Sequence, residues 1–206
     1  MKLYEGLPYT VTIHGKRYRV RPSFDRVLEA YEVLQQDWTD GEKIDYITWL
    51  LYKDKPKDKV EAVQAFFAQI VGISDGEEPK KKVFDFTKDA PYIYSAFLQS
   101  YGINLYERQD RNRRWFSQSN GILGRVFGRP LHWQEFIALF QGLPKDTLMA
   151  EIMSIRMTEI PARNQYNAEM VDDLIRKKMT FSLEDKTDIQ HGWLSVFYAL
   201  KGMAEE

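Results

Sequence analysis

The side chains able to do chemistry are few and scattered. The three histidines stand far apart, at positions 14, 132 and 191, and there is no cysteine. The missing thiol excludes disulfides, thiolate metal centres and a cysteine nucleophile. His132 and Glu135 are three apart at the start of one expected helix, a spacing that binds a metal only when other helices add ligands. No second pair of this kind occurs, so the two residues read as a surface pair and the metal expectation is none. Asp172-Asp173 and Glu184-Asp185 read as solvated faces, not acid–base dyads. No G-x-S-x-G, Walker loop, GxGxxG or H-E-x-x-H is present. With no nucleophile, base and orienting group in sight, the expectation is a protein that is not an enzyme and takes no cofactor.

Binding chemistry is richer. Residues 106–130, YERQDRNRRWFSQSNGILGRVFGRP, carry Arg108, Arg111, Arg113, Arg114, Arg125 and Arg129 against Glu107 and Asp110, with Trp115, Phe116 and Phe127 interleaved. Such a mixture grips phosphates and stacks on bases. It equally anchors protein interfaces, because guanidinium forks pair carboxylates and rings bury area. Protein contact is the first reading, ahead of an inert solvated loop or nucleic acid. Gly121, Gly124 and Gly128 interrupt any regular element, so the stretch reads as an inserted arm.

The elements that must position it are helical. Residues 7–21 read as a β-hairpin, with a His14-Gly15 turn placing Val11 opposite Tyr18 and Tyr9 opposite Val20. Ser23 is the expected cap of a helix carrying Phe24, Val27, Leu28, Tyr31 and Leu34. Thr39 and Glu42 make a capping box before Ile44, Ile47, Leu50 and Leu51. Pro56 is expected to open a third helix that Gly72 ends. The charged run 74–82 reads as a linker. Phe84 to Leu105 then looks like the organising helix, with Asp89 as cap, Pro91 in the first turn and Gly102 as stop. Ala90, Ile93, Tyr94, Phe97, Leu98 and Tyr101 form its apolar stripe. A helix with Trp133, Phe136, Ile137 and Phe140 follows, then one over Leu148–Arg156 started by Asp146 or Thr147. A polar helix over 163–178 comes next, and a last one carries Ile189, Trp193, Val196, Phe197 and Leu200.

The expected fold is therefore mainly α, a compact multi-helix domain with an N-terminal β-hairpin and an arginine- and aromatic-rich insertion. Its 206 residues suit one domain: hairpin 7–21, N-terminal helices 22–73, a helical core from 84–105 and 131–204, and the arm 106–130. A 44% hydrophobic content supplies a packed core and excludes a disordered chain. A net charge of −1 favours neither nucleic acid nor a membrane surface globally. No apolar run nears the roughly 20 residues of a membrane span, and the N-terminus does not read as a secretory signal.

Two stretches, FDFTKDAPYIYSAFLQSYGINL and LHWQEFIALFQGLPKDTLMAEIMSIR, resemble a family of phage and prophage tail-module proteins from Gram-positive hosts. In that family a D-A-x-Y-I-Y-x-A-F-x-Q-x-Y-G-I segment leads into an L-H-W-x-x-F-x-A-L-x-x-G-L-P turn. Its genes usually lie between those for the major tail protein and the tape-measure protein, and it is commonly assigned as a tail assembly chaperone. The resemblance is specific over 84–105 and 131–160 and loose elsewhere. It implies a non-catalytic, mainly helical protein of the host cytoplasm, left out of the mature virion. The implied partner is the tape-measure protein, with the tail-tube protein and a second tail chaperone as further candidates. The arm departs from the family pattern, in which the two motifs lie closer together. Its Arg108, Arg111, Arg113, Arg114, Trp115, Phe116, Arg125 and Phe127, with Trp133 if its face is uncovered, are the candidate partner-binding residues. The alternatives are a nucleic-acid-binding phage protein using the arm, or a structural tail subunit.

Overall fold

His14 and Gly15 both adopt positive φ, 48° and 76°, the backbone that a two-residue hairpin turn demands. The strands they join, β1 (Thr10–Ile13) and β2 (Lys16–Arg19), pair antiparallel with Val11 opposite Tyr18, the expected register. Val11, Ile13 and Val20 are buried, and β1 lies against the third helix. There the Gln69 side chain mimics a neighbouring strand: its amide donates to the Thr12 carbonyl at 2.8 Å and its oxygen accepts from the Thr12 N–H at 3.0 Å.

The structure, a computed structural model, describes residues 5–72, 83–110 and 129–183. The charged run 74–82, the centre of the arm and the last expected helix lie outside the described residues. The fold is mainly α with an N-terminal hairpin, and seven α-helices occur among the described residues. They are α1 (Phe24–Leu34), α2 (Asp40–Leu51), α3 (Lys59–Phe66), α4 (Ala90–Tyr101), α5 (Trp133–Gln141), α6 (Leu148–Met157) and α7 (Ala168–Thr180). Contacts group the chain into two compact units. Unit 1 takes residues 1–80, 106–139 and 189–206, and unit 2 takes 81–105 and 140–188, so the boundary falls inside α5.

In unit 1 the extended segment after β2 is hydrogen-bonded on both sides. The Arg21 N–H donates to the Leu51 carbonyl at 2.7 Å, and the Lys53 N–H donates to Arg19 at 2.9 Å. The Phe24 N–H donates to Leu131 at 3.0 Å, and the Trp133 N–H donates to Pro22 at 2.7 Å. Ser23 consequently bridges to His132, and its hydroxyl makes no cap bond. The capping box of Thr39 and Glu42 forms as expected. Pro56 does not open α3; Asp58 does, its carboxylate accepting from the Glu61 N–H at 3.0 Å, with the buried proline two residues earlier. α3 runs on as a π turn over Phe67–Val71, which Gly72 ends at φ 85°. Rings then link the elements: Phe24 stacks on Phe136, Phe136 on Trp133, Trp133 meets Tyr31, and Tyr31 meets Phe67.

In unit 2, α4 ends at Gly102 with φ 63°, as expected, and has Pro91 in its first turn. Its buried stripe is narrower than the sequence suggests. Ile93, Ala96 and Phe97 are buried, whereas Ala90 is exposed and Leu98 is 45% exposed. Asp89 occupies the cap position but makes no cap bond. Its carboxylate instead receives Arg156 in a bidentate pair, 2.6 and 2.8 Å, and also accepts from the Asp85 N–H at 2.9 Å. Arg156 donates further to the Val83 carbonyl at 2.9 Å and the Phe181 carbonyl at 2.7 Å, so one side chain ties together three stretches of the unit. Thr147, not Asp146, caps α6. Met149, Ile152 and Ile155 are the buried face of α6, with Leu148 half exposed. In α7 Val171 is buried, while Tyr166, expected on that helix, lies ahead of it and is 90% exposed.

Candidate functional site, the base of the arginine-rich arm

Three backbone strands meet where the arm joins unit 1. The Leu131 carbonyl accepts from Phe24, and its N–H donates to the Arg108 carbonyl at 2.9 Å. Arg108 returns the link through its Nε, which donates to the Arg129 carbonyl at 2.7 Å. Residues 108 and 129 are therefore adjacent, and the two ends of the arm are tied to one place. Arg26, buried in α1, pins the outgoing end: its Nε reaches Asp110 at 2.7 Å, and its guanidinium also donates to the Leu50 carbonyl at 3.1 Å. Arg129 pins the returning end through Glu135 at 3.2 Å and the Tyr9 hydroxyl at 3.1 Å.

The candidate binding residues thus separate. Arg108 belongs to the base, where it is half-buried and serves to close the arm; Arg129, not among the candidates, shares the base with more than half its side-chain surface open. Arg111, Arg113, Arg114, Trp115, Phe116, Arg125 and Phe127 lie outside the described residues. Trp133 is a correction: it is 3% exposed, sandwiched by Tyr31 and Phe136, and is a core residue with no face for a partner.

His132 is also not a surface residue. It is 1% exposed, its Nε2 lies 2.9 Å from the Pro8 carbonyl, and its Nδ1 accepts from the Gln134 N–H at 3.0 Å. One nitrogen donating and one accepting defines a neutral ring. Burial pushes its pKa below the ordinary value, with the Pro8 bond working the other way. Glu135 turns to Arg129 instead. Among the described residues one group has metal-ligand spacing, His14, Asp58 and Glu61. Its members have local work: Asp58 caps α3, and the imidazole of His14 sits 3.6 Å from Glu61.

Sequence periodicity missed another surface. Trp38 and Trp49 are 43% and 64% exposed, and their rings flank Tyr46 at 5.6 and 5.5 Å. The available signal was that Tyr46 and Trp49 fall off the Ile44–Ile47–Leu51 stripe of α2, so burial could not account for them.

No helix among the described residues is long and apolar enough to cross a membrane. In comparisons with known proteins, no curated protein and no solved structure matches the chain. A family model does match, that of the bacteriophage Gp15 protein, over residues 3–117 and 126–183. The match enters the arm as far as Ser117 and resumes at Val126, leaving out 118–125 and with it Arg125. With most of its length matched, this chain belongs to the bacteriophage Gp15 protein family.

Proposed function

We propose that this phage protein is a tail assembly chaperone. It binds the tape-measure protein in the host cytoplasm, keeps that long chain soluble, and helps tail-tube subunits polymerise around it. It does so without catalysis and is absent from the finished virion. The observation that carries this reading is the bacteriophage family match, which runs through both motifs that resemble tail chaperones, 84–105 and 131–160. A holdase needs exposed aromatic or apolar surface to compete with self-association of its client. The arm's sequence holds Trp115, Phe116 and Phe127 together with Arg111, Arg113 and Arg114, between ends held by Arg26, Arg108 and Arg129.

The test is a tagged pull-down from phage-producing cells, with and without nuclease, read by mass spectrometry beside purified particles. Co-purification of the tape-measure protein after nuclease, with this chain missing from particles, is the expected result. Recovery of nucleic acid alone, or presence of the chain in mature tails, overturns it. Replacing Trp115, Phe116 and Phe127 together by Ser is expected to leave folding intact and weaken capture. Unchanged capture by that folded variant removes the arm from the mechanism.

A further inference from the structure

The exposed face of α2 is aromatic and acidic at once. At 100° per residue Asp45, Trp49, Glu42 and Tyr46 share one arc of roughly 100° around the helix, opposite the buried Ile44, Ile47 and Leu51. Trp38, from the loop before the helix, closes edge-on against Tyr46. The row is braced from behind: the Tyr46 hydroxyl donates to Glu29 of α1 at 2.6 Å, and the capping box fixes the backbone next to Trp38. Neighbouring rings touch one another, so the row is a ridge and not a cage around a small cation. A depression lined by Gly41, Ile44, Asp45, Lys57, Asp58, Lys59 and Val60 adjoins it.

Charge says what can sit there. Residues 29–49 hold six carboxylates, on Glu29, Glu32, Asp37, Asp40, Glu42 and Asp45, against Lys43; the neighbouring Lys59 pairs with Asp45 at 2.6 Å, and the stretch stays net acidic in a chain whose net charge is only −1. Such a field repels phosphate backbones, anionic lipid surfaces and acidic peptides. It attracts cations, and Trp faces reward a guanidinium or ammonium laid on them. Rigid aromatic anchors ringed by charge are also what a protein hot spot is made of. We infer that the Trp38–Tyr46–Trp49 ridge docks a basic amphipathic segment of a partner protein, with apolar side chains on the rings and Lys or Arg on the surrounding carboxylates. The ridge shares no residue with the arm, so its test reads out independently of client capture through 106–130.

The full-length protein is titrated with a dye-labelled synthetic helical peptide of Leu and Lys, and with its Leu and Glu counterpart, by fluorescence polarisation. The lysine peptide is expected to bind and the glutamate peptide not. Trp49→Ala should weaken binding at least about tenfold with its melting temperature unchanged, because that ring is 64% exposed, and Trp38→Ala/Trp49→Ala should weaken it further. Asp37→Asn/Asp40→Asn should weaken binding and flatten its salt dependence. Equal binding of both peptides, or unchanged binding by folded Trp49→Ala, overturns the inference. So does concentration-dependent self-association that Trp49→Ala abolishes, which would make a second copy the occupant.

Discussion

Each unit buries an arginine, and the two are held in opposite ways. In unit 1 the Arg26 side chain is 7% exposed, but its partner Asp110 keeps 26% of its side-chain surface in water. In unit 2 Arg156 and Asp89 are 9% and 2% exposed, and Arg156 also satisfies the Val83 and Phe181 carbonyls. Around Arg26 the work is shared with a backbone ladder and a chain of stacked rings. Unit 2 concentrates it on one guanidinium. Arg156→Ala should therefore cost about 3–5 kcal/mol, because the Asp89 charge is left buried without its cation, with only the Asp85 N–H to bond it. Urea unfolding measures it, and replacing both members with apolar residues of similar volume should recover much of the loss. If the double replacement is as damaging as Arg156→Ala alone, the stranded charge is not the cause.

Arg26→Ala sharpens the contrast from the other side. Asp110 can rehydrate when its partner leaves, so the expected loss is about 1.5–3 kcal/mol, that of hydrogen bonds to a charged group. It should also loosen the arm, since Asp110 lies at its outgoing end. Proteolysis within 106–130 reads that effect separately from global stability. Equal costs for Arg26→Ala and Arg156→Ala would show that partner exposure does not set the difference.

Unit 1 carries a pH dependence through His132. Burial holds its pKa below the usual 6.5, so the unfolded chain binds its proton more readily than the folded one. The stability this neutral ring contributes is present above pH 6.5 and is lost as pH falls toward the folded pKa. The slope is limited to about 1.4 kcal/mol per pH unit for one proton. His132→Gln should flatten the wild-type curve between about pH 7 and pH 5. A difference curve of unchanged slope would place the titration elsewhere.

What the sequence reveals about this molecule is mainly its local geometry. Positive φ at Gly15, Gly72 and Gly102, the Thr39–Glu42 box and the buried spacing of Trp133, Phe136 and Phe140 each depend on residues a few positions apart. Their physics is complete within a turn or two of chain. The sequence does not show that Asp89 leaves the cap, because that depends on Arg156, 67 positions away. A cap bond and a buried bidentate pair compete for the same carboxylate, and the charged partner prevails. Trp133 was offered to a partner for the same reason: nothing nearby in sequence shows that Tyr31 covers it. The ridge on α2 was invisible because periodicity marks what is buried, and Trp49 is the aromatic left out.

The two helix starts of unit 1 make the finest test of that distinction. Thr39 and Ser23 look alike in sequence, each a hydroxyl ahead of an apolar-periodic run. The Thr39 hydroxyl accepts from the Glu42 N–H at 3.4 Å and donates to the Glu42 carboxylate at 2.6 Å, while the Thr39 N–H reaches that same carboxylate at 3.0 Å. The Ser23 hydroxyl is buried without a hydrogen-bond partner, because its backbone is held in the bridge to His132. Thr39→Ala should thus cost about 1 kcal/mol, an ordinary cap loss. Ser23→Ala should cost nothing and gain up to about 1 kcal/mol, since it removes a polar group that burial penalises. Unfolding of the two variants side by side decides it. Equal losses would mean that Ser23 caps α1 after all, and that the bridge to His132 does not compete with the cap.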